Sequence, residues 1–163
     1  MIFHLPTFLT VTLDIIAWFL IHMGVSYSMS RVPIELFKAD SVLCRRKSFE
    51  AEGRLYERLF RIKKWKETLP DGATLFKAGF PKRHLKKKIK VYLQTFIKET
   101  CRAELTHWLT LACAGVFFIW NHWWIGLIMI VYAAAVNLPC ILTQRYNRIR
   151  LVRVVAVKSA RSD

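Results

Sequence analysis

Two long stretches of this chain lack almost all charge. Residues 1–30 hold no lysine or arginine and a single carboxyl group, Asp14, and residues 105–144 hold no Asp, Glu, Lys or Arg at all. Acid is scarce everywhere: 11 Asp and Glu stand against 26 Lys and Arg in 163 residues, a net charge of +15, although 54% of the residues are hydrophobic. The basic residues are therefore confined to two blocks, 31–102 and 145–161. A soluble globular domain interleaves charge with apolar residues and a disordered basic tail has no apolar runs, so both classes are excluded. The four cysteines form no C-x-x-C pair, which removes the usual signs of a zinc or redox site, and they are read as reduced structural thiols. No nucleic-acid motif accompanies the basic blocks, and lipid phosphate is the partner they suit. What is left is an all-α, small integral membrane protein, one membrane domain over residues 1–163.

About 20 apolar residues cross a bilayer as a helix. Residues 2–29 meet that length, and without a basic leader or a small-residue cleavage site they read as a retained first span rather than a signal peptide. Residues 105–142 are too long for one crossing, and Trp120-Asn121-His122-Trp123-Trp124 interrupts them with polar and interface-seeking side chains. The expectation is a helical hairpin, with a second span over 105–120 and a third over 123–142. A short third span or a re-entrant piece fits the same arithmetic. The positive-inside rule then places the N-terminus outside and both basic blocks, 31–104 and 145–163, in the cytoplasm, giving a multi-pass membrane protein.

The segment 31–104 carries 20 basic and 9 acidic residues, a net of +11. Within it, residues 54–66 (RLYERLFRIKKWK) predict one basic amphipathic helix, with Leu55, Leu59 and Ile62 on one face and Arg54, Arg58 and Arg61 on another. Such a helix lies on anionic headgroups. Leu69-Pro70-Asp71-Gly72 ends it in a turn, and Lys86-Lys87-Lys88 opens a second helix that runs unbroken into the second span.

Ionisable side chains in or beside a span are costly and have a partner or a task. On the helix carrying Ile89, Leu93, Phe96, Ile97 and Thr100 as one stripe, Glu104 and His107 fall about 20° and about −40° from Leu93. That adjacency suits a general base, His107, with Glu104 orienting its imidazole. It equally suits a buried pair that fixes helix packing, and the residues alone leave the two open. The second carboxylate and histidine of a di-iron bundle are missing, so no metal is expected. Farther on, Asn137, Gln144 and Arg148 share a helical face beyond a kink expected at Pro139. Arg145, Arg148, Arg150 and Arg153 crowd nine residues at the membrane border. Gln144, Arg145, Asn147 and Arg148 are read as a cradle for phosphate, and Arg150 and Arg153 as anchors to headgroups. His4, Asp14 and His22 of the first span are read as packing groups able to complete a site.

Lys63-Lys64-Trp65-Lys66, Leu69-Pro70-Asp71-Gly72, Arg102-Ala103-Glu104 with His107-Trp108, Asn137-Leu138-Pro139 and Gln144-Arg145-Tyr146-Asn147-Arg148 followed by Arg150-Leu151 occur in this order. Together they resemble the glycosyl-4,4'-diaponeurosporenoate acyltransferases, small membrane proteins of staphyloxanthin-type carotenoid pathways. The likeness covers about residues 54–153, and Ile149 departs from it where the family's run has proline. The resemblance implies transfer of a fatty acyl chain from acyl-CoA or an acyl-carrier protein to the C6 hydroxyl of the glucose on a glycosylated C30 carotenoid. No cofactor is implied beyond that co-substrate. On this reading His107 takes the hydroxyl proton, Glu104 holds its tautomer, and Arg102, Asn137, Gln144, Arg145, Asn147 and Arg148 bind the substrates. Asn147, Gln144 or an arginine stabilises the oxyanion, and Arg145 and Arg148 take the donor's phosphates. A different small membrane enzyme, a methyltransferase or reductase, and a non-catalytic adaptor fit the same composition.

Overall fold

A computed structural model of the chain describes residues 6–69 and 90–159. His4, the Pro70-Asp71-Gly72 turn and the helix start at Lys86-Lys87-Lys88 lie outside the described residues. Every regular element among those described is helical.

Helix α1, Thr7–Arg31, is the first long apolar helix, and Phe8, Ile15, Phe19 and Leu20 are exposed along it. Apolar side chains left outward over a whole helix suit hydrocarbon rather than water. Pro33 follows two residues after its end. Residues 32–68 then form a strap of short pieces: 3-10 turns at Ile34–Leu36 and Ser48–Gly53, helix α2, Arg54–Leu59, helix α3, Ile62–Trp65, and a last 3-10 turn at Lys66–Thr68. Helix α4, Lys90–Cys113, passes without interruption from the basic segment into apolar sequence and ends in a 3-10 helix, Ala114–Ile119. After the turn at Trp120-Asn121-His122, helix α5 runs for 37 residues, Trp123–Ser159, with Pro139 inside it. At about 1.5 Å per residue α5 is about 55 Å long, well over the ~30 Å of a bilayer's hydrocarbon. The expected third span and the basic tail as far as Ser159 are thus one continuous helix.

Among the described residues two helices, α1 and α5, are long and apolar enough to cross a membrane. The expected second span, 105–120, is divided between the last turns of α4 and a 3-10 helix. It pairs antiparallel with α5, and the turn between them meets α1 at Asp14, two turns in from Thr7: Trp120 Nε1 and Asn121 Nδ2 each donate to Asp14 Oδ1 at 2.8 Å. Near this turn Ala114 and Ala133 are fully buried with Phe117 and Trp18, small residues that let the backbones close up. Toward the basic end Leu93, Phe96 and Ile97 of α4 pack on Leu151 of α5.

The strap departs from the expected single amphipathic helix. Arg61 takes a left-handed conformation, φ 47°, and separates α2 from α3. As a result Ile62 is fully buried while Leu59 is exposed, so the two do not share an apolar face. The force behind the break is packing: Tyr56 and Ile62 both close on Tyr146 and Ile149 of α5. On one continuous helix, six residues apart, they point about 120° away from each other.

Candidate active site

The α4-facing stripe of α5 carries Ala133, Asn137, Ile141, Gln144, Arg148 and Leu151, and the facing stripe of α4 carries Leu93, Thr100, Glu104 and His107. Six of these ten are polar, and they lie between Ala133 at the turn end and Leu93 and Leu151 at the basic end of the hairpin. Glu104 is completely buried. Arg145 donates Nη1–H to its Oε1 at 2.9 Å and Arg148 donates Nη2–H to its Oε2. Trp108 Nε1 reaches Oε1 at 3.4 Å. The strap supplies the remaining partners. Arg145 donates from Nε to Glu50 Oε1 at 3.0 Å, and its other nitrogens reach the carbonyls of Leu43 and Arg45. Arg148 donates from Nε to the carbonyl of Cys44 at 2.9 Å.

Two buried carboxylates thus stand against a buried guanidinium, Arg148, and a partly buried one, Arg145. Charge-assisted hydrogen bonds of this kind offset the large cost of desolvating the ions only because nearly every donor is used. Arg148 Nη1 and, one turn earlier on α5, Gln144 Oε1 are buried without a hydrogen-bond partner.

Glu50 is held by Tyr56, whose hydroxyl donates to Oε1 at 2.5 Å, and by the backbone N–H of Lys47 on Oε2 at 2.5 Å. Burial alone pushes the Glu50 carboxyl up, but these bonds and Arg145 outweigh it and hold the group below the usual carboxylate range. Burial and the bond to Glu50 push the Tyr56 hydroxyl up. On the other side of α5, Tyr146 donates to Glu57 Oε1 at 2.7 Å, and Lys63 pairs with Glu57 Oε2 at 2.8 Å. Lys63 and Tyr146 keep the Glu57 carboxyl below its ordinary range.

His107 lies on the same α4 stripe as Glu104, and its Nδ1 is 2.9 Å from Asn137 Oδ1. Helical spacing puts Glu104 and His107 side by side, and the arginines of α5 give the carboxylate charge-assisted bonds. The residues of the expected phosphate cradle are placed as follows. Every nitrogen of Arg145 is engaged inside the protein, and Arg148 retains only Nη1. Arg102 stands apart, donating to Glu99 at 2.7 Å and to the Ser30 carbonyl at the end of α1. Asn147 lies off the seam and accepts from Lys66 Nζ at 3.5 Å. His22 packs beside Trp18, ring centroids 5.4 Å apart and tilted by 37°, and Asp14 holds the hairpin turn.

Glu50, Tyr56, Glu57 and the strap carbonyls were missed by sequence reasoning. One signal pointed to them: two arginines on an apolar seam need more negative charge than Glu104 alone provides.

An all-helical frame with two membrane-length helices, and a charged network closed off at the basic end of a hairpin beside a held histidine, defines a small membrane-associated protein with an enzyme-like polar centre. The chain belongs to the glycosyl-4,4'-diaponeurosporenoate acyltransferase family, whose model matches residues 39–157, and is an acyltransferase. Proteins of that name from Staphylococcus aureus strains bovine RF122 / ET3-1, N315 and USA300 are each 29% identical to it over 146 residues, 90% of this chain and 88% of the relative. No solved structure matches the chain. The matched region contains most of the strap, all of α4 and most of α5, which are the elements that build the polar centre.

Proposed function

We propose that the chain transfers a fatty acyl group from an acyl thioester, acyl-CoA or acyl-carrier protein, to the C6 hydroxyl of the glucose on a glycosylated C30 carotenoid. Its relatives' name supports a glycosyl carotenoid acceptor. The chemistry of the site supports the rest of the reading. Both substrates are amphiphiles whose tails stay in hydrocarbon while their reacting groups sit at the border, where the polar side chains of the α4–α5 seam lie. The N-terminus is outside and both basic blocks are cytoplasmic on this reading, the side on which acyl thioesters are made.

The observation that carries it is His107, a base with a fixed partner at the apolar–polar border of the hairpin. Its basic nitrogen takes the sugar hydroxyl's proton as the oxygen attacks the thioester carbonyl. The new C–O bond forms, the oxyanion collapses, the C–S bond breaks, and the proton passes to the leaving thiolate. Arg148 Nη1, a guanidinium nitrogen of the cluster that makes no hydrogen bond within the protein, is the donor for the oxyanion. Glu104 holds the guanidinium in place.

Purified protein in lipid nanodiscs, given glycosylated carotenoid and labelled acyl-CoA or acyl-carrier protein, tests this. Wild type forms the ester, and His107→Ala loses about a hundredfold or more in rate, the lower end of what a general base contributes. Equal rates remove His107 from the chemistry, and no ester from wild type with either donor overturns the proposed reaction.

A further inference from the structure

Asn137 is completely buried on the seam between α4 and α5, in the apolar stretch of α5 that precedes the arginines. An amide there loses its bonds to water and has to recover them within the protein. It recovers them in a way that fixes its orientation. Asn137 donates Nδ2–H to the carbonyl of Ala133, one turn back, at 2.9 Å. A carbonyl only accepts, so the NH2 group belongs on that side and the amide oxygen belongs on the other. That oxygen is the atom 2.9 Å from His107 Nδ1. It too only accepts, so the hydrogen between them sits on the imidazole. A neutral ring protonated at Nδ1 carries its lone pair on Nε2.

We infer that Asn137 is the positioning residue for His107, holding the Nδ1–H tautomer so that Nε2 is the nitrogen that accepts the substrate's proton. The inference rests on the reading of His107 as the base. An amide suits the task at this depth: it directs the ring without adding another buried anion to a seam whose carboxylate, Glu104, is already matched by arginines. The chain of fixed groups is short. The Ala133 carbonyl, on the same helix, sets the amide, and the amide, across the α4–α5 seam, sets the imidazole, each link being one hydrogen bond.

The test reads the tautomer directly. Protein labelled with 15N at histidine is studied by NMR in lipid nanodiscs, with His107→Gln used to assign the His107 signals, and kinetics are followed in parallel. Wild type is expected to show Nδ1 protonated and Nε2 unprotonated. Asn137→Leu is expected to mix the tautomers and lower kcat by about tenfold or more, with KM for both substrates within about twofold of wild type. Asn137→Asp keeps an acceptor on Nδ1 and is expected to recover most of that kcat. An Nε2–H tautomer in wild type overturns the inference even where no variant folds. So does an Asn137→Leu protein whose tautomer is unchanged, or an Asn137→Asp protein as impaired as Asn137→Leu. Because the tautomer is read without turnover, it reports on Asn137 separately, and failure of wild type to make ester speaks against the acyl-transfer reading instead.

Discussion

Glu104 shows how far spacing alone reaches at the scale of a residue. Its place on the buried stripe of α4, three residues before His107, follows from helical periodicity, and the structure puts it there with no exposure. Its partner does not follow. Arginine side chains are long enough to reach it from the next turns of α5, and no periodicity on α4 reports that reach. Glu104→Gln tests the consequence. The variant keeps the shape of the side chain but leaves the buried guanidinium of Arg148 and the partly buried one of Arg145 facing one fewer anion, and breaking a buried pair in this way costs about 3–5 kcal/mol. The expected outcome is a protein that unfolds at much lower denaturant in detergent, or fails to accumulate, before its rate is measured. A Glu104→Gln protein with wild-type stability and a lowered rate points to a catalytic rather than structural carboxylate. Asn137 was legible as a site residue because a polar group in an apolar run needs an explanation. Its role was not, since only the opposing helix supplies the imidazole.

At the scale of an element, the strap is where sequence and structure part most clearly. The RLYERLFRIKKWK pattern counts correctly as an amphipathic helix, yet three consecutive left-handed residues before it, Ala51, Glu52 and Gly53, and a fourth at Arg61 turn the chain back on itself. Such conformations cost about 1 kcal/mol or more each for residues with a Cβ and persist only where surrounding contacts hold them. Here the contacts are Glu50 under Arg145 and Gly53 against the Tyr146 ring, where an added Cβ would lie 3.4 Å from Cδ2. Local propensity carries no record of either. The Glu50 carboxyl, held below its ordinary range, links this turn to pH. A depressed carboxylate contributes its full stability above its unfolded value, about 4.3, and loses it as pH falls through the lower folded value. Hydrogen exchange across residues 43–56 is therefore expected to rise as pH drops below about 4, while α4 and α5 keep their protection, after correction for the intrinsic pH dependence of exchange. Glu50→Gln is expected to raise exchange in the strap at neutral pH and to flatten the response. An unchanged acid response in Glu50→Gln assigns the transition to another carboxyl.

At the scale of the whole molecule, the absence of charge from residues 1–30 and 105–144 told most about the fold, because only hydrocarbon favours runs of that length. The hairpin and its apolar faces were legible for the same reason. The depth of its turn was not, because it depends on a contact between α1 and a loop more than a hundred residues later. Asp14 accepts from both Trp120 and Asn121 and so stops the hairpin two turns short of the start of α1. Asp14→Leu removes the acceptor and strands two N–H groups among apolar neighbours, at about 1–3 kcal/mol for the buried donors. Asp14→Asn keeps an oxygen in place and is expected to lose less. In mixed micelles the leucine variant should unfold earlier, with Trp120 more accessible to a fluorescence quencher, while the folded fraction retains the rate per molecule of wild type. That last measurement separates two roles for a polar group inside a membrane helix. If Asp14 only docks the turn, stability falls and the intrinsic rate stays. If the rate falls in protein of unchanged stability, Asp14 belongs with His107 and Arg148 in the chemistry, and the reacting centre extends along the hairpin toward its turn.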